Sequence, residues 1–207
     1  MRQILCFGDS NTYGLIPGTE DRYPWGVRWT SRLEEMVNPS QYRIVEEGLC
    51  GRTTDFSDLS RAGRKATDSF SMILESHQPL DTVILMLGTN DCKKAYDASE
   101  YQIGKGLEKL LIKIRNHSDK TKVLIVSPIE LGSEVEEKDP EFDRKSVKTS
   151  RRLKHVYRKL AEKYGFEFLA ASDYAKASGK DQQHLDENGH RILASAIYKK
   201  ILAKQIL

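Results

Sequence analysis

The sequence predicts an α/β fold: a three-layer α/β/α domain built on a five-stranded parallel sheet. Three observations predict it. Strand-like runs alternate with helix-like segments along the whole 207 residues. The clearest runs, Val83 to Leu87 and Val123 to Val126, are continuously apolar rather than alternating. A strand apolar on both faces needs cover on both, which is the condition of a parallel sheet between helix layers. Small polar residues also collect just after the strand ends, where open α/β sheets place their ligands.

The elements follow in order. Ile4 to Phe7 is a first strand stopped by Gly8. Val27 to Val37 reads as a helix ended by Asn38-Pro39. Tyr42 to Val45 is a second strand, and Ala66, Phe70, Ile73 and Leu74 share helical spacing. Val83 to Leu87 is the third strand, stopped by Gly88. Ile103, Leu107, Leu110, Leu111 and Ile114 mark a helix before the fourth strand, Val123 to Val126. Leu153, Val156, Tyr157, Leu160, Ala161 and Tyr164 mark another, before a short fifth strand at Phe166 to Leu169. Ile192, Leu193, Ala196, Ile197, Ile201 and Leu202 mark the last helix, with Asp186 as its N-cap. Ile129 to Asp143 is too long for an ordinary connection and reads as a functional loop or an interface. The expectation is one domain over 1–207 with a variable insertion at about 129–143.

Composition narrows the function classes. The net charge is +3, and the basic residues between Arg144 and Lys163 alternate with apolar positions. That is a solvated helix face rather than a nucleic-acid patch. No run approaches the roughly 20 apolar residues of a membrane span. The apolar part of the N-terminus is too short for a signal peptide, so a cytoplasmic location is expected. The three cysteines, Cys6, Cys50 and Cys92, suit a reducing compartment and match no zinc spacing. No cofactor and no metal are expected.

Ser10 follows the first strand and Asn90 the third. With strand order 2-1-3-4-5 they face each other across the crevice where that order reverses. A serine hydroxyl is a weak nucleophile and needs a base. His77 and His117 end helices, and His155 lies on a basic helix face. His184 and His190 follow the last strand and join the same rim as Ser10. A turn brings Asp181, three residues upstream, within reach of His184, where it can orient the imidazole. His190 falls in the first turn of the final helix, a structural place. An ester carbonyl becomes an oxyanion in the transition state and needs waiting donors. The Ser10 N–H, a glycine N–H in the second loop and the Asn90 amide are candidates.

Together these blocks resemble the SGNH (GDSL-like) hydrolases, a family with a flavodoxin-like sheet. Gly8-Asp9-Ser10 looks like the first block, with Ser10 as nucleophile. Gly51, within Gly48 to Thr54, fits the second as a backbone oxyanion donor, and Asn90, within Gly88 to Asp91, fits the third. Asp181 and His184 fit the fourth. Ile4 to Ser10, Val27 to Thr30, Glu46 to Leu49, Arg52 to Thr54 and Met86 to Asp91 are similar to the bacterial arylesterase/acyltransferase branch. The resemblance implies a serine esterase that hydrolyses short-chain acyl esters, with acyl transfer in some members, and a homo-oligomer built partly by the region after strand four. Asn11 stands where the family signature has leucine, a change that leaves the nucleophile intact.

Other readings keep or change the chemistry. A carbohydrate O-acetylesterase or a lysophospholipase/thioesterase would use the same site. A flavodoxin-like binding protein would use Phe7 to Gly14 as a phosphate cradle, but leaves Asp181 and His184 idle. A catalytically silent interaction domain would leave the whole site idle. The expected partner is a small ester, with no nucleic acid and no membrane insertion. Tyr13, Trp25, Ile129 and Leu131 are the candidate pocket walls, and the acidic run Glu134 to Glu141 reads as solvated surface.

Overall fold

The apolar runs become five parallel strands: β1 (Arg2–Gly8), β2 (Tyr42–Gly48), β3 (Leu80–Met86), β4 (Lys122–Ser127) and β5 (Glu167–Ala170). Their order is β2-β1-β3-β4-β5, as expected, in a computed structural model that describes residues 1–204 and 206. Alternate residues of each central strand serve opposite cores. Leu5, Phe7, Val83, Leu85 and Ile125 pack with α3 (Ala66–Ser76), α4 (Glu100–His117) and α6 (Arg144–Tyr164). Ile4, Cys6, Ile84, Met86 and Leu124 pack with α2 (Trp29–Met36) and α7 (Glu187–Ala203). Two short helices, α1 (Ser10–Tyr13) and α5 (Val135–Lys138), lie outside these layers.

Strand and helix ends shift by one to three residues throughout, β3 for instance running Leu80–Met86 rather than Val83 to Leu87, and two changes have consequences. β2 continues through Glu46 and Glu47 to Gly48, which were expected to be loop. Its acids are partnered: Glu46 by Arg22, Arg28 (3.2 Å) and Thr30, and Glu47 by His77 (2.9 Å). α6 begins at Arg144, well before Leu153, behind a capping box of Asp143 and Ser146. Its first turns bury Ser146, Thr149 and Ser150 beside a single apolar residue, Val147, which leaves no apolar period to read. The final helix is capped as expected, with Asp186 accepting from the Gly189 N–H at 2.7 Å. Basic residues of α6 meet acids of neighbouring elements, including Arg152 with Glu100 (3.6 Å) and Lys163 with Glu108 (2.6 Å). Among the described residues no helix is long and apolar enough to cross a membrane.

Candidate active site

β1 delivers Ser10. The strand ends at Gly8, and Asp9 caps α1 by accepting from the Asn11 N–H at 3.0 Å. Ser10 is the first residue of α1, so the helix itself has no use for its N–H. β2 comes very close beside it. A Cβ on Gly48 would lie 2.1 Å from the Tyr13 nitrogen, so only glycine lets the end of β2 meet α1.

The loop between β5 and α7 delivers the histidine. His184 Nε2 lies 2.8 Å from Ser10 Oγ, and His184 Nδ1 lies 2.8 Å from Asp181 Oδ2. With Asp181 accepting at Nδ1, the Nε2 lone pair faces the Ser10 hydroxyl. The turn is closed by Gln182 N–H to Ser178 O and Ser178 N–H to His184 O, both 2.8 Å. Burial alone would raise the Asp181 carboxyl. Hydrogen bonds from the His184 ring and from the Gln183 and His184 N–H groups outweigh it and hold the carboxyl at about 2. The Gly18 N–H adds another donor at 2.9 Å. Asp181 is therefore ionised at neutral pH and fully occupied.

Asn90 and Gly51 complete the same rim. One Asn90 amide hydrogen goes to the Arg52 carbonyl at 3.1 Å, and the side-chain amide has a second to offer. Gly51 sits at φ +82, and a Cβ there would also lie 2.5 Å from the Arg61 guanidinium. The backbone conformation calls for glycine, whereas the guanidinium is the end of a flexible side chain that could move aside.

Several supporting residues escaped the sequence reading. Asp91 accepts from the Thr54 N–H (2.9 Å) and hydroxyl, tying the third loop to the second. Arg52 donates to the Gly8 carbonyl at 2.8 Å and lies over the Phe7 ring, tying the second loop to the first. Burial pushes the Asp9 carboxyl up to about 6 and the Asp91 carboxyl up to about 7, against their hydrogen bonds. The available signal was a charged residue beside each expected site residue, on strand ends the sheet must bury.

Ser10, Gly51, Asn90, Asp181 and His184 line one cavity of about 310 Å³. The expected walls are not its walls. Tyr13 lies against the Arg22 guanidinium and Trp25 against that of Arg28. Ile129 and Leu131 are buried in the two opposite cores. The cavity is instead walled by Leu15, Cys50, Arg61, Lys93 and the segment Lys138 to Glu141. Ile129 and Leu131 were drawn into the cores, Tyr13 and Trp25 were taken up by arginines outside them, and mainly polar segments formed the rim. Within the acidic run, Glu134, Glu136 and Glu137 are exposed, as expected. Asp139 and Glu141 are not simple surface: Asp139 accepts from Gln183 Nε2 at 2.9 Å, and Glu141 pairs with Lys93 at 2.7 Å.

His190 lies in the first turn of α7, fully buried, and its Nδ1 accepts from the Trp29 N–H at 3.2 Å. Burial pulls it down to about 4, so it is neutral. His77 pairs with Glu47, His117 meets Gln78, and His155 is exposed on α6. Among the described residues no group of three or more His, Cys, Asp or Glu side chains is placed to hold a metal ion.

The profile of the GDSL-like lipase/acylhydrolase family matches residues 6–192. Among solved structures, the chain is similar to Est24, a carbohydrate acetylesterase from Sinorhizobium meliloti. The two share 35% identity at a TM-score of 0.92, over 99% of this chain and 100% of the other. It is also similar to a carbohydrate acetylesterase family member from the same organism, with 29% identity and a TM-score of 0.92, over 100% and 99%. The aryl esterase of M. smegmatis shares 28% identity at a TM-score of 0.91, over the whole of both chains. No match is found among curated protein sequences.

Proposed function

The chain belongs to the GDSL-like lipase/acylhydrolase family and is a carboxylic ester hydrolase of the SGNH type; from that premise we propose that it works through an acyl-enzyme on Ser10. The carrying observation is the line Asp181–His184–Ser10, with both links at 2.8 Å, opening on a cavity that Asn90 also lines. Ser10 Oγ attacks the ester carbonyl carbon while His184 Nε2 takes the hydroxyl proton. The carbonyl oxygen becomes an oxyanion and accepts from the Ser10 N–H, the Gly51 N–H and the Asn90 amide. Collapse breaks the carbon–alkoxy bond, and His184 returns the proton to the leaving alcohol. Water then repeats the sequence with His184 as base and frees the acid. An alcohol in place of water receives the acyl group instead.

The substrate we propose is a short acyl ester, acetyl to butyryl, of a polar alcohol. A cavity of about 310 Å³ lined by Arg61, Lys93, Asp139 and Glu141 suits hydroxyl groups better than a long alkyl chain. The carbohydrate acetylesterases among similar structures support a small acyl group. Free thiols at Cys6, Cys50 and Cys92 support a reducing compartment.

The test compares acetyl, butyryl and octanoyl esters of 4-nitrophenol with acetylated sugars, for wild type and Ser10→Ala. Acetyl esters should turn over fastest, and Ser10→Ala should be inactive with an unchanged circular dichroism spectrum. A serine-directed phosphonate should label the peptide containing Ser10. Full turnover by the alanine variant would end the acyl-enzyme reading, and preference for octanoyl esters would end the substrate reading.

A further inference from the structure

Asn11 occupies the position where the family signature has leucine, and its side chain reaches the loop that carries His184. Asn11 Nδ2 donates to the Gln183 carbonyl at 3.1 Å, and Asn11 Oδ1 accepts from the Leu185 N–H at 2.9 Å. One amide therefore grips the main chain on both sides of His184. Asn11 is only 3% exposed, so water is a poor substitute for these bonds.

Resting on the proposed roles of Ser10 and His184, we propose that Asn11 is a positioning residue that sets the Ser10–His184 distance. Asp181 accepts from the N–H groups of Gln183 (3.1 Å) and His184 (3.0 Å), and Ser178 N–H holds the His184 carbonyl (2.8 Å). Those partners lie within the histidine's own loop or just before it. They fix its shape without fixing where it stands relative to the serine. Tethers from outside hold that loop to the segment after α1 (Gly18 N–H to Asp181, 2.9 Å) and to the cavity wall (Gln183 to Asp139, 2.9 Å; Gly132 N–H to the Gln182 carbonyl, 2.8 Å). Asn11 supplies the link to α1, the element that carries the serine. It is the neighbour of Ser10 in α1, and its own N–H is held by Asp9. A shift of the histidine loop along the rim must break the two Asn11 bonds before it lengthens the 2.8 Å contact from His184 Nε2 to Ser10 Oγ. A leucine of similar volume fills the space and makes neither bond. It leaves the Gln183 carbonyl and the Leu185 N–H without their partner.

The test separates positioning from folding by counting competent sites. Wild type, Asn11→Leu and Asn11→Asp are titrated to completion with a 4-nitrophenyl phosphonate, and acetyl-ester turnover is expressed per titrated site. Asn11→Leu should label more slowly but to full titre. Its kcat per site should fall on the order of 10²-fold with KM unchanged, the penalty of a small misplacement of reacting groups. Asn11→Asp keeps the acceptor for the Leu185 N–H and should fall between the two. If Asn11→Leu or Asn11→Asp loses activity only as lost titre, with wild-type turnover per site, Asn11 merely holds the fold and the proposal is overturned. Wild type that fails to label at Ser10 would instead overturn the serine reading on which the proposal rests.

Discussion

Asn90 holds the second loop with one amide hydrogen and faces the cavity, which gives its replacement two separable effects. Asn90→Ala should lower kcat on the order of 10²–10³-fold, the usual result of losing one oxyanion donor. It should also lower stability by about 1 kcal/mol, because the bond to the Arg52 carbonyl goes with it. Asn90→Asp should damage turnover at least as much, since a carboxylate would repel the oxyanion. Steady-state kinetics beside urea unfolding separate the two effects. Near-normal turnover by the aspartate variant would make Asn90 a turn residue only. At this scale, residue type and place carried much of the site: Ser10, Asn90 and the Asp181–His184 pair follow strand ends in chain order. The sequence shows that Asn11 leaves the nucleophile intact, and the chain beside it shows no partner for its amide. Its partners lie 172 and 174 positions away.

The segment between β4 and α6 shows how an element escapes periodicity. It contains only the four-residue α5 and is pinned by Val135 and Phe142, both buried in the core shared with α4 and α6. Its rim is then held from both sides. Glu141 accepts from the Lys94 N–H at 2.9 Å, and the Gly132 N–H donates to the Gln182 carbonyl at 2.8 Å. Phe142 is therefore the anchor of one cavity wall. Phe142→Ala should destabilise the protein by about 3–5 kcal/mol, the range for emptying a buried aromatic site. The same change should raise KM, as Lys138 to Glu141 lose their support. Urea unfolding and acetyl-ester kinetics check the pair. A loss under about 1 kcal/mol would show that the segment stands without its anchor. Helices with a long apolar stripe were legible at this scale, whereas the start of α6 and the wall were not.

Across the whole molecule, the loops at the strand ends form a closed circuit. Arg52 joins the second loop to the first, Asp91 the third to the second, and Lys93–Glu141 the third to the wall. Gln183 joins the wall to the histidine loop, and Asn11 joins that loop back to the first. The circuit buries two carboxyls, Asp9 at about 6 and Asp91 at about 7, against roughly 4 in an unfolded chain. The fold therefore binds their protons more tightly than the unfolded chain does. Their contribution to stability is full below pH of about 4 and is lost as pH rises through 6 and 7. Asp181 and His190 act in the opposite sense, and theirs is lost as pH falls toward about 2 and about 4. Asp91→Asn removes one of the two acids that titrate above 5. Its urea midpoint should fall less between pH 5 and pH 8 than that of wild type. An equal fall in both proteins would show that the Asp91 carboxyl does not titrate in this range.

The fold was legible because its evidence is local. A strand covered on both faces must be apolar at successive positions, and a helix must repeat its apolar residues every three or four, so Val83 to Leu87 and Leu107 to Ile114 show in the chain itself. The order of the site blocks was legible because parallel strands bring their C-terminal ends to one edge. The walls of the cavity, the two bonds of Asn11 and the second role of Asn90 were decided only when the strands lay side by side. The bonds depend on a polar group finding a partner across the sheet edge, and the wall depends as well on Val135 and Phe142 reaching the core. A hydrogen bond needs its two atoms within about 3 Å, and nothing in the neighbouring residues records which distant atom will arrive there.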